Sequence, residues 1–259
     1  MDEHTTESLI DLPARRRSRG RLALAAGWMR VAAGLRLVEP EVRGLHELVR
    51  PGDVCFDVGA AYGMYSVPLA DLVGPIGAVH SFEPQGRPRA ILGAVRTALG
   101  AAHIRVSESG LGRTAGHLEL RLPVRFGLPI SGHAHLAGGL VATTGRAVPT
   151  RRTRVAVTTV DEVVLERGIE RVHFIKADVE GFEPEVLHGA AGVLARDMPT
   201  LLLEIEDRHL ARYGRTAAEV SAMLRERGYA MSTWRDGSWQ PAERVELGRR
   251  NYLFRAAAA

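Results

Sequence analysis

The sequence of residues 54–63 is VCFDVGAAYG, a short apolar run followed by a loop that contains two glycines. The run at 54–58 predicts a strand that is buried on both faces, as in a parallel sheet. Gly59 and Gly63 let the backbone turn sharply and approach a ligand without a Cβ atom in the way. Residues 64–73 have helical spacing, and a Gly-Pro pair ends the helix. The stretch therefore predicts a strand, a glycine loop and a helix.

The rest of the chain continues this alternation of strand-like and helical segments. Further strands are predicted at residues 78–82, 103–106, 117–122, 153–158, 172–177, 201–205, 229–234 and 251–254. Further helices are predicted at residues 85–99, 160–167, 184–188 and 217–227. This order favours an open, mostly parallel sheet with helices on both faces. Because the last two strands lie close together along the chain, they are expected to form an antiparallel edge pair.

The composition is that of a soluble globular protein, with 46% hydrophobic and 25% charged residues in 259. It excludes a disordered chain, a collagen and a disulfide scaffold. Cys55 is the only cysteine. This suits a reducing compartment, and a cytoplasmic location is expected. The net charge of +4 rests almost entirely on arginine, because Lys176 is the only lysine.

Residues 1–50 are predicted to be a basic, helical extension of an α/β domain at 51–259. Arginines cluster at positions 15, 16, 17, 19 and 21, and an Ala-rich segment follows at 22–35. Arg30 interrupts that segment, which is too short for a transmembrane helix and lacks the pattern of a signal peptide. Two interpretations stay open. The helix either packs on the domain with its arginines in water, or contacts a membrane or an acidic partner.

Two acidic residues indicate which ligand the glycine loop accepts. Glu83 ends the second strand, where a carboxylate can accept both hydroxyls of an adenosine ribose. A pyrophosphate prefers G-x-G-x-x-G with no carboxylate nearby, whereas this loop carries Asp57 beside the turn. A carboxylate there repels phosphates and attracts an ammonium or sulfonium group. S-adenosylmethionine has both cations and no phosphate, so it is the predicted cofactor; a loop carboxylate without a ligand is the alternative for Asp57.

A second group of charges follows the strand at 172–177, in the sequence KADVEG. Strand geometry would place Lys176, Asp178 and Glu180 on one side at the ligand-bearing end of the sheet. Such charges are costly unless they are solvated, paired or used in catalysis. In the functional interpretation they are catalytic and organise the acceptor, with Asp178 as the base. In the structural one, Lys176 pairs with a carboxylate. No metal is predicted, although a carboxylate pair at this spacing could hold Mg²⁺.

A Gly- and Pro-rich stretch suggests a lid-like insertion at about 123–152, because loops this long are more often functional than filler. His133 and His135 lie in it, and one of them is the second candidate for a general base. Glu204 ends the fifth core strand, where it would face the floor of the cleft. These three residues are candidates for substrate contact.

The sequence resembles the FkbM family of S-adenosylmethionine-dependent methyltransferases from about Gly52 to Phe254. The matching blocks are FDVGA at 56–60, SFEP at 81–84, TVDE at 159–162, IKADVEGFE at 175–183 and VLHGA at 186–190. The resemblance implies a class I Rossmann-like methyltransferase fold with a mostly parallel seven-stranded sheet, an antiparallel edge strand and helices on both faces. It implies O-methylation of a small-molecule hydroxyl, on a polyketide, sugar or glycolipid.

The resemblance also extends the set of cofactor-binding residues beyond the two carboxylates. The expected set is Asp57, Gly59, Ala60, Tyr62, Gly63, Glu83, Pro84 and Ser109. Departures from the family pattern bear on cofactor affinity. Ala61 and Tyr62 follow the Gly-Ala pair, where members often have asparagine, and Ser109 lies where asparagine and alanine are common.

Other functions are weighed against this interpretation. The basic composition suggests a nucleic-acid-directed methyltransferase or binding protein, but beyond the N-terminal cluster the arginines are scattered and no aromatic-rich stripe accompanies them. A nicotinamide-dependent oxidoreductase uses a similar sheet, and binding of NADH instead of S-adenosylmethionine would favour it. A cofactor-binding protein without catalysis is the third alternative.

Overall fold

The computed structural model describes residues 12–125, 128–129, 135–137 and 150–257. Its strands are β1 (Val54–Val58), β2 (Ala78–Phe82), β3 (Ile104–Ser107), β4 (Gly110–Leu111), β5 (Gly116–Arg125), β6 (Leu128–Pro129), β7 (His135–Ala137), β8 (Thr150–Thr158), β9 (Phe174–Ala177), β10 (Thr200–Glu204), β11 (Tyr229–Arg235), β12 (Ser238–Pro241) and β13 (Asn251–Ala256). Its α-helices are α1 (Leu12–Gly34), α2 (Ser66–Val73), α3 (Gly86–Leu99), α4 (Val160–Glu166), α5 (Glu183–His188), α6 (Ala191–Asp197), α7 (Asp207–Leu210) and α8 (Ala217–Glu226). Two 3-10 helices span Pro40–Glu47 and Ala211–Tyr213.

The main sheet has the strand order β12-β11-β13-β10-β9-β1-β2-β3. The five strands from β3 to β10 are parallel, and β13, β11 and β12 pair antiparallel. The prediction of a mostly parallel α/β sheet is confirmed. The sheet has eight strands rather than seven, because β12 folds back on β11 as a hairpin. The last two predicted strands do pair antiparallel, and β13 lies between β10 and β11.

Hydrophobic clusters cover both faces of the main sheet. Neighbouring residues of β1 point to opposite faces, so Cys55 belongs to one cluster and Phe56 to the other. One cluster contains buried residues of α4, α5, α6 and α8, and the other contains residues of α1 and α2. Burial on both faces explains why the central strands consist mostly of apolar residues and do not alternate between apolar and polar ones.

A second, smaller sheet carries the predicted strands at 117–122 and 153–158. These are β5 and β8, which pair antiparallel in the order β4-β8-β5-β6, with β7 also paired to β5. Most of the predicted lid-like insertion, 123–152, lies outside the described residues. The smaller sheet therefore places the two ends of that insertion side by side.

The loop after β1 requires glycine because the backbone that follows β9 lies very close to it. Gly59 has φ +81°, and a Cβ atom there would lie 1.9 Å from the carbonyl oxygen of Asp178. Gly63 has φ +91°, in the left-handed region that side chains disfavour. Gly59 therefore brings the backbone of the first loop against the segment that follows β9, whereas a Cβ atom at Gly63 would lie 2.6 Å from Leu92 of α3.

Helix α1 packs on the domain through one face and exposes apolar side chains on the other. Leu22, Ala26 and Ala33 are buried, whereas Leu24 and Trp28 are 69% and 72% exposed. Among the described residues, no helix combines the length and the apolar character needed to cross a bilayer.

Candidate active site

A cleft of about 250 Å³ opens at the carboxyl ends of β1, β2, β9 and β10. Ligands of open parallel sheets bind at this edge, where neighbouring loops separate. Glu83 lines one end of the cleft, Gly59 lies along it, and Asp178, Glu180 and Glu204 line the other end. The cleft therefore connects the two groups of acidic residues that the sequence singles out.

Glu83 is held by the two loops that flank it. The backbone N–H of Ala61 donates to Oε2 at 2.9 Å, and that of Gln85 donates to Oε1 at 2.8 Å. The carboxyl is 2% exposed, and burial raises its pKa although the two N–H donors lower it. A carboxylate oxygen has two lone pairs, so each oxygen keeps one for a ligand hydroxyl. This geometry suits the two vicinal hydroxyls of a ribose.

Asp57 lies beneath the loop rather than in the cleft. Its Oδ2 accepts from the hydroxyl of Ser66 at 2.5 Å, and that hydroxyl lies 2.8 Å from the hydroxyl of Ser81. Burial raises the pKa of Asp57 to about 6, against the opposing effects of Ser66 and Lys176. Asp57 therefore links β1 to the start of α2 and holds the loop between them in place. Its side chain does not line the cleft.

The other expected cofactor residues divide between the cleft and its surroundings. Gly59 and Pro84 line the cleft with Glu83, but four further residues of the expected set, like Asp57, do not: Ala60, Tyr62, Gly63 and Ser109. Tyr62 is 44% exposed. The two residues after Ser109, Gly110 and Leu111, line the cleft in its place.

The candidate substrate residues are only partly described. His133 lies outside the described residues, and for His135 only the backbone, at the start of β7, is described. Leu136 and Leu120 of the smaller sheet line the cleft, and so does Glu204. The smaller sheet therefore forms an apolar wall of the same cleft.

Lys176 is completely buried and does not line the cleft. Its Nζ lies 3.6 Å from Oδ2 of Asp178, donates to Oδ1 of Asn251 at 3.0 Å, and stands 5.0 Å over the ring of Tyr65. Burial alone would lower the pKa of Lys176, but Asp178, Glu39 and other carboxylates raise it. Lys176 is therefore a buried cation that pairs with Asp178 from the side away from the cleft.

Asp178 is the most exposed of the three cleft carboxylates whose pKa is raised, the other two being Glu83 and Glu180. Its side chain is 28% exposed, and it is backed by Lys176. Burial raises the pKa of Asp178, Lys176 lowers it and Glu204 raises it again. A carboxylate with a raised pKa is a stronger base than an ordinary aspartate, which is what proton removal from an alcohol requires.

Glu180 turns away from Asp178, because β9 ends at Ala177 and the strand alternation does not continue. Glu180 has φ +57°, and its Oε2 lies 3.1 Å from Nε2 of His209 and 3.6 Å from Arg212. Burial raises its pKa to about 7. The predicted trio of Lys176, Asp178 and Glu180 therefore separates into an ion pair between buried Lys176 and partly exposed Asp178, and a buried carboxylate with other partners.

His209 and Arg250 complete this end of the site and were not among the predicted residues. Nδ1 of His209 lies 3.5 Å from Glu204, which also pairs with Arg250 at 2.9 Å. Glu180, Glu204 and His209 offer potential metal-ligand atoms within 4.8 Å of one another. Each of the two carboxylates already faces an arginine guanidinium, so their charge is compensated by the protein itself.

A family model described as "Methyltransferase FkbM domain" matches residues 57–231. The 31-O-demethyl-FK506 methyltransferase FkbM of Streptomyces tacrolimicus is 31% identical over an alignment of 210 residues that covers 73% of this chain and 76% of that protein.

The solved structures that are similar to this chain include two methyltransferase-fold proteins. The methyltransferase FkbM of Methylobacillus flagellatus is 18% identical with a TM-score of 0.49; the alignment covers 94% of this chain but only 58% of that one. The fibrillarin of Aeropyrum pernix with natively bound S-adenosyl-L-methionine is 16% identical, with a TM-score of 0.44 and coverage of 80% and 68%. The family model matches most of the chain, and the relative from Streptomyces tacrolimicus supports the same assignment. The chain therefore belongs to the FkbM family of S-adenosylmethionine-dependent methyltransferases.

Proposed function

We propose that this protein transfers the methyl group of S-adenosylmethionine to a hydroxyl group of a small molecule, of the polyketide, sugar or glycolipid type. The observation that carries the proposal is the position of Asp178, an accessible carboxylate of raised pKa in the same cleft as Glu83. A hydroxyl acceptor needs a base, whereas an amine or thiol depends on one less.

The reaction is an in-line displacement at the methyl carbon. The acceptor oxygen forms a bond to that carbon while the bond from carbon to the sulfonium sulfur breaks, and the acceptor proton passes to Asp178. The products are a methyl ether and S-adenosylhomocysteine. Since the sulfonium is a good leaving group, the protein's main task is to hold the oxygen close to the methyl group and in line with it.

The curated relative supports a hydroxyl acceptor, because its name describes methylation at an oxygen of demethyl-FK506. The apolar side chains Leu120 and Leu136, which line the same cleft as Asp178, support a partly hydrophobic acceptor. A single buried cysteine supports the cytoplasm as the compartment.

Two measurements test the proposal. Calorimetry with S-adenosylhomocysteine should detect binding, and mass spectrometry should detect labelled methyl ethers when candidate alcohols are incubated with labelled donor. The panel should include hydroxylated macrolides, sugars, glycolipids and total RNA. Label in RNA alone, or binding of NADH without binding of S-adenosylhomocysteine, would contradict the proposal.

We expect methyl transfer to be independent of a divalent metal ion. Arg212 and Arg250 already compensate Glu180 and Glu204, so a cation would have to displace them. Dialysis against EDTA should change the rate by less than about two-fold, whereas loss of a metal that activates the hydroxyl would abolish most of it. Restoration of a lost activity by added Mg²⁺ would show that the metal is required.

Helix α1 is expected to contact anionic membranes weakly. Leu24, Trp28, Val31 and Leu35 follow one another at helical spacing and are all more than half exposed. The arginines at 15–21 precede this apolar stripe in the same helix, a combination typical of helices that lie on lipid surfaces. The protein should sediment with phosphatidylglycerol vesicles at low salt and much less with phosphatidylcholine vesicles.

The variant that tests this contact is Trp28→Ser combined with Leu24→Ser, which should abolish sedimentation. Ile76→Ser is the matched control, because Ile76 is equally exposed but lies between α2 and β2. Equal binding to both kinds of vesicle would contradict the expectation. A change from dimer to monomer in the double variant would instead show that the stripe joins two copies of the chain.

A further inference from the structure

Glu39 is a cleft residue that lies outside the part of the chain matched by the family model. It precedes the 3-10 helix Pro40–Glu47, and its half-buried side chain lines the cleft near Asp178. The family model begins at residue 57. The N-terminal extension therefore contributes a carboxylate to the active site.

The carboxylate of Glu39 is held in one orientation by two hydrogen bonds. The hydroxyl of Tyr65 donates to Oε2 at 2.6 Å, and Nδ2 of Asn251 donates to the same oxygen at 2.8 Å. Asn251 in turn accepts from Lys176 through Oδ1. Within the described part of the chain, both hydrogen bonds end on Oε2, so Oε1 is the oxygen available to a ligand in the cleft.

The position of Glu83 fixes the direction in which the cofactor runs. If the ribose lies on Glu83, the adenine lies toward Gly110 and Leu111, which follow β3 and line the same end of the cleft. The sulfonium and the amino-acid moiety then extend the other way, past Gly59 and toward Asp178 and Glu39. This end of the cleft is the one that must accept an ammonium group.

We propose that Glu39 binds the α-ammonium group of the methionine moiety of S-adenosylmethionine through its oxygen Oε1. The inference rests on the proposed function only in its use of this cofactor. A charge-assisted hydrogen bond from an ammonium to a fixed carboxylate is among the strongest polar contacts. The N-terminal extension thus acts in cofactor recognition, and Asp178 is left for the acceptor hydroxyl.

Calorimetry with two ligands tests this inference. S-Adenosylhomocysteine carries the amino-acid moiety, whereas 5′-methylthioadenosine has the same adenine, ribose and sulfur without it. In Glu39→Gln we expect the Kd of S-adenosylhomocysteine to rise roughly ten- to a hundred-fold, because a charged hydrogen bond is lost. The Kd of 5′-methylthioadenosine should stay within about two-fold of the wild-type value, since that ligand never reaches Glu39.

The matched control is Glu47→Gln, which removes the same charge from the exposed end of the same 3-10 helix. It should leave both Kd values unchanged. Equal weakening of both ligands in Glu39→Gln, no weakening of either, or the same effect in Glu47→Gln would overturn the inference. Failure of the wild-type protein to bind either ligand would instead contradict the proposed function.

A ligand-side measurement keeps the test valid if Glu39→Gln does not fold. The wild-type protein is titrated with desamino-S-adenosylhomocysteine, in which hydrogen replaces the α-amino group. This analogue should bind at least about ten-fold more weakly than S-adenosylhomocysteine. Where the variant folds, it should bind the analogue and S-adenosylhomocysteine with nearly the same Kd. Equal binding of the two ligands by the wild-type protein would overturn the inference.

Discussion

Replacement of Asp178 by asparagine is expected to reduce methyl transfer roughly a hundred- to ten-thousand-fold, the usual contribution of a general base. The substitution keeps the shape of the side chain and removes its ability to take a proton. Binding of S-adenosylhomocysteine should change little, because in the proposed binding mode Glu83 and the glycine loop hold the nucleoside. Single-turnover rates with labelled donor and calorimetry with S-adenosylhomocysteine measure the two effects separately.

The pH profile gives a second readout for the same residue. Burial raises the pKa of Asp178, so the base form is lost as the pH falls through a value above that of an ordinary aspartate. In the wild-type protein kcat/KM should therefore fall on the acid side, and this limb should be lost in Asp178→Asn.

The control for this variant is Glu108→Gln, which removes a carboxylate that is 78% exposed and pairs only with Arg89 among the described contacts. It should leave the rate unchanged. If Asp178→Asn keeps more than about a tenth of the activity, Asp178 is not the base. Glu180, which lines the cleft near Asp178 and also has a raised pKa, would then be the next residue to replace.

The sequence predicted the central strands well because their environment is uniform. β1, β2, β9 and β10 are buried on both faces, and such strands appear as apolar runs that need no knowledge of their partners. The sequence did not predict β12. Ser238–Pro241 is a short segment at the edge of the sheet, and among the described strands it pairs with β11 alone. Its formation depends on the neighbouring strand rather than on its own residues.

The sequence singled out part of the candidate site. It could not show the contacts between residues that lie far apart along the chain. Local pattern singled out Glu83 and Asp178 at the ends of strands, and both line the cleft. It also singled out Asp57, but could not show that this side chain is buried against Ser66 of α2 and near Ser81 of β2. The alternation rule failed at Glu180, because the strand ends at Ala177 and the chain enters a turn. Nothing local to Glu180 indicates that His209 lies against it.

Removal of the ammonium of Lys176 is expected to have the largest effect on stability. Lys176→Met keeps most of the length of the side chain, but it leaves Asp178 and the other carboxylates near it without their buried cation. Breaking a buried ion pair in this way costs about 3–5 kcal/mol. The free energy of unfolding in urea should fall by that amount, and the melting temperature should fall by roughly 10 °C.

The matched control for the stability measurement is Arg87→Met, which removes a cation from an exposed position of α3. Its free energy of unfolding should stay within about 0.5 kcal/mol of the wild-type value. A loss in Lys176→Met that is no larger than in this control would show that Lys176 does not compensate the buried carboxylates.

The deficit of Lys176→Met should depend on pH with a definite sign. The carboxyls of Asp57 and Asp178 have raised pKa values in the wild-type protein, where Lys176 lowers both, so its loss raises them further. A group whose pKa is raised by folding contributes stability at low pH and loses it as the pH rises through the folded value. The variant should therefore be closest to the wild-type protein near pH 5.5 and furthest from it near pH 8.5, since the added carboxyl protonation is complete only at the lower pH.

Urea titrations at the two pH values measure this difference in the free energy of unfolding. If the variant is destabilised equally at both pH values, the loss comes from packing or from the hydrogen bond to Asn251, not from unpaired charge.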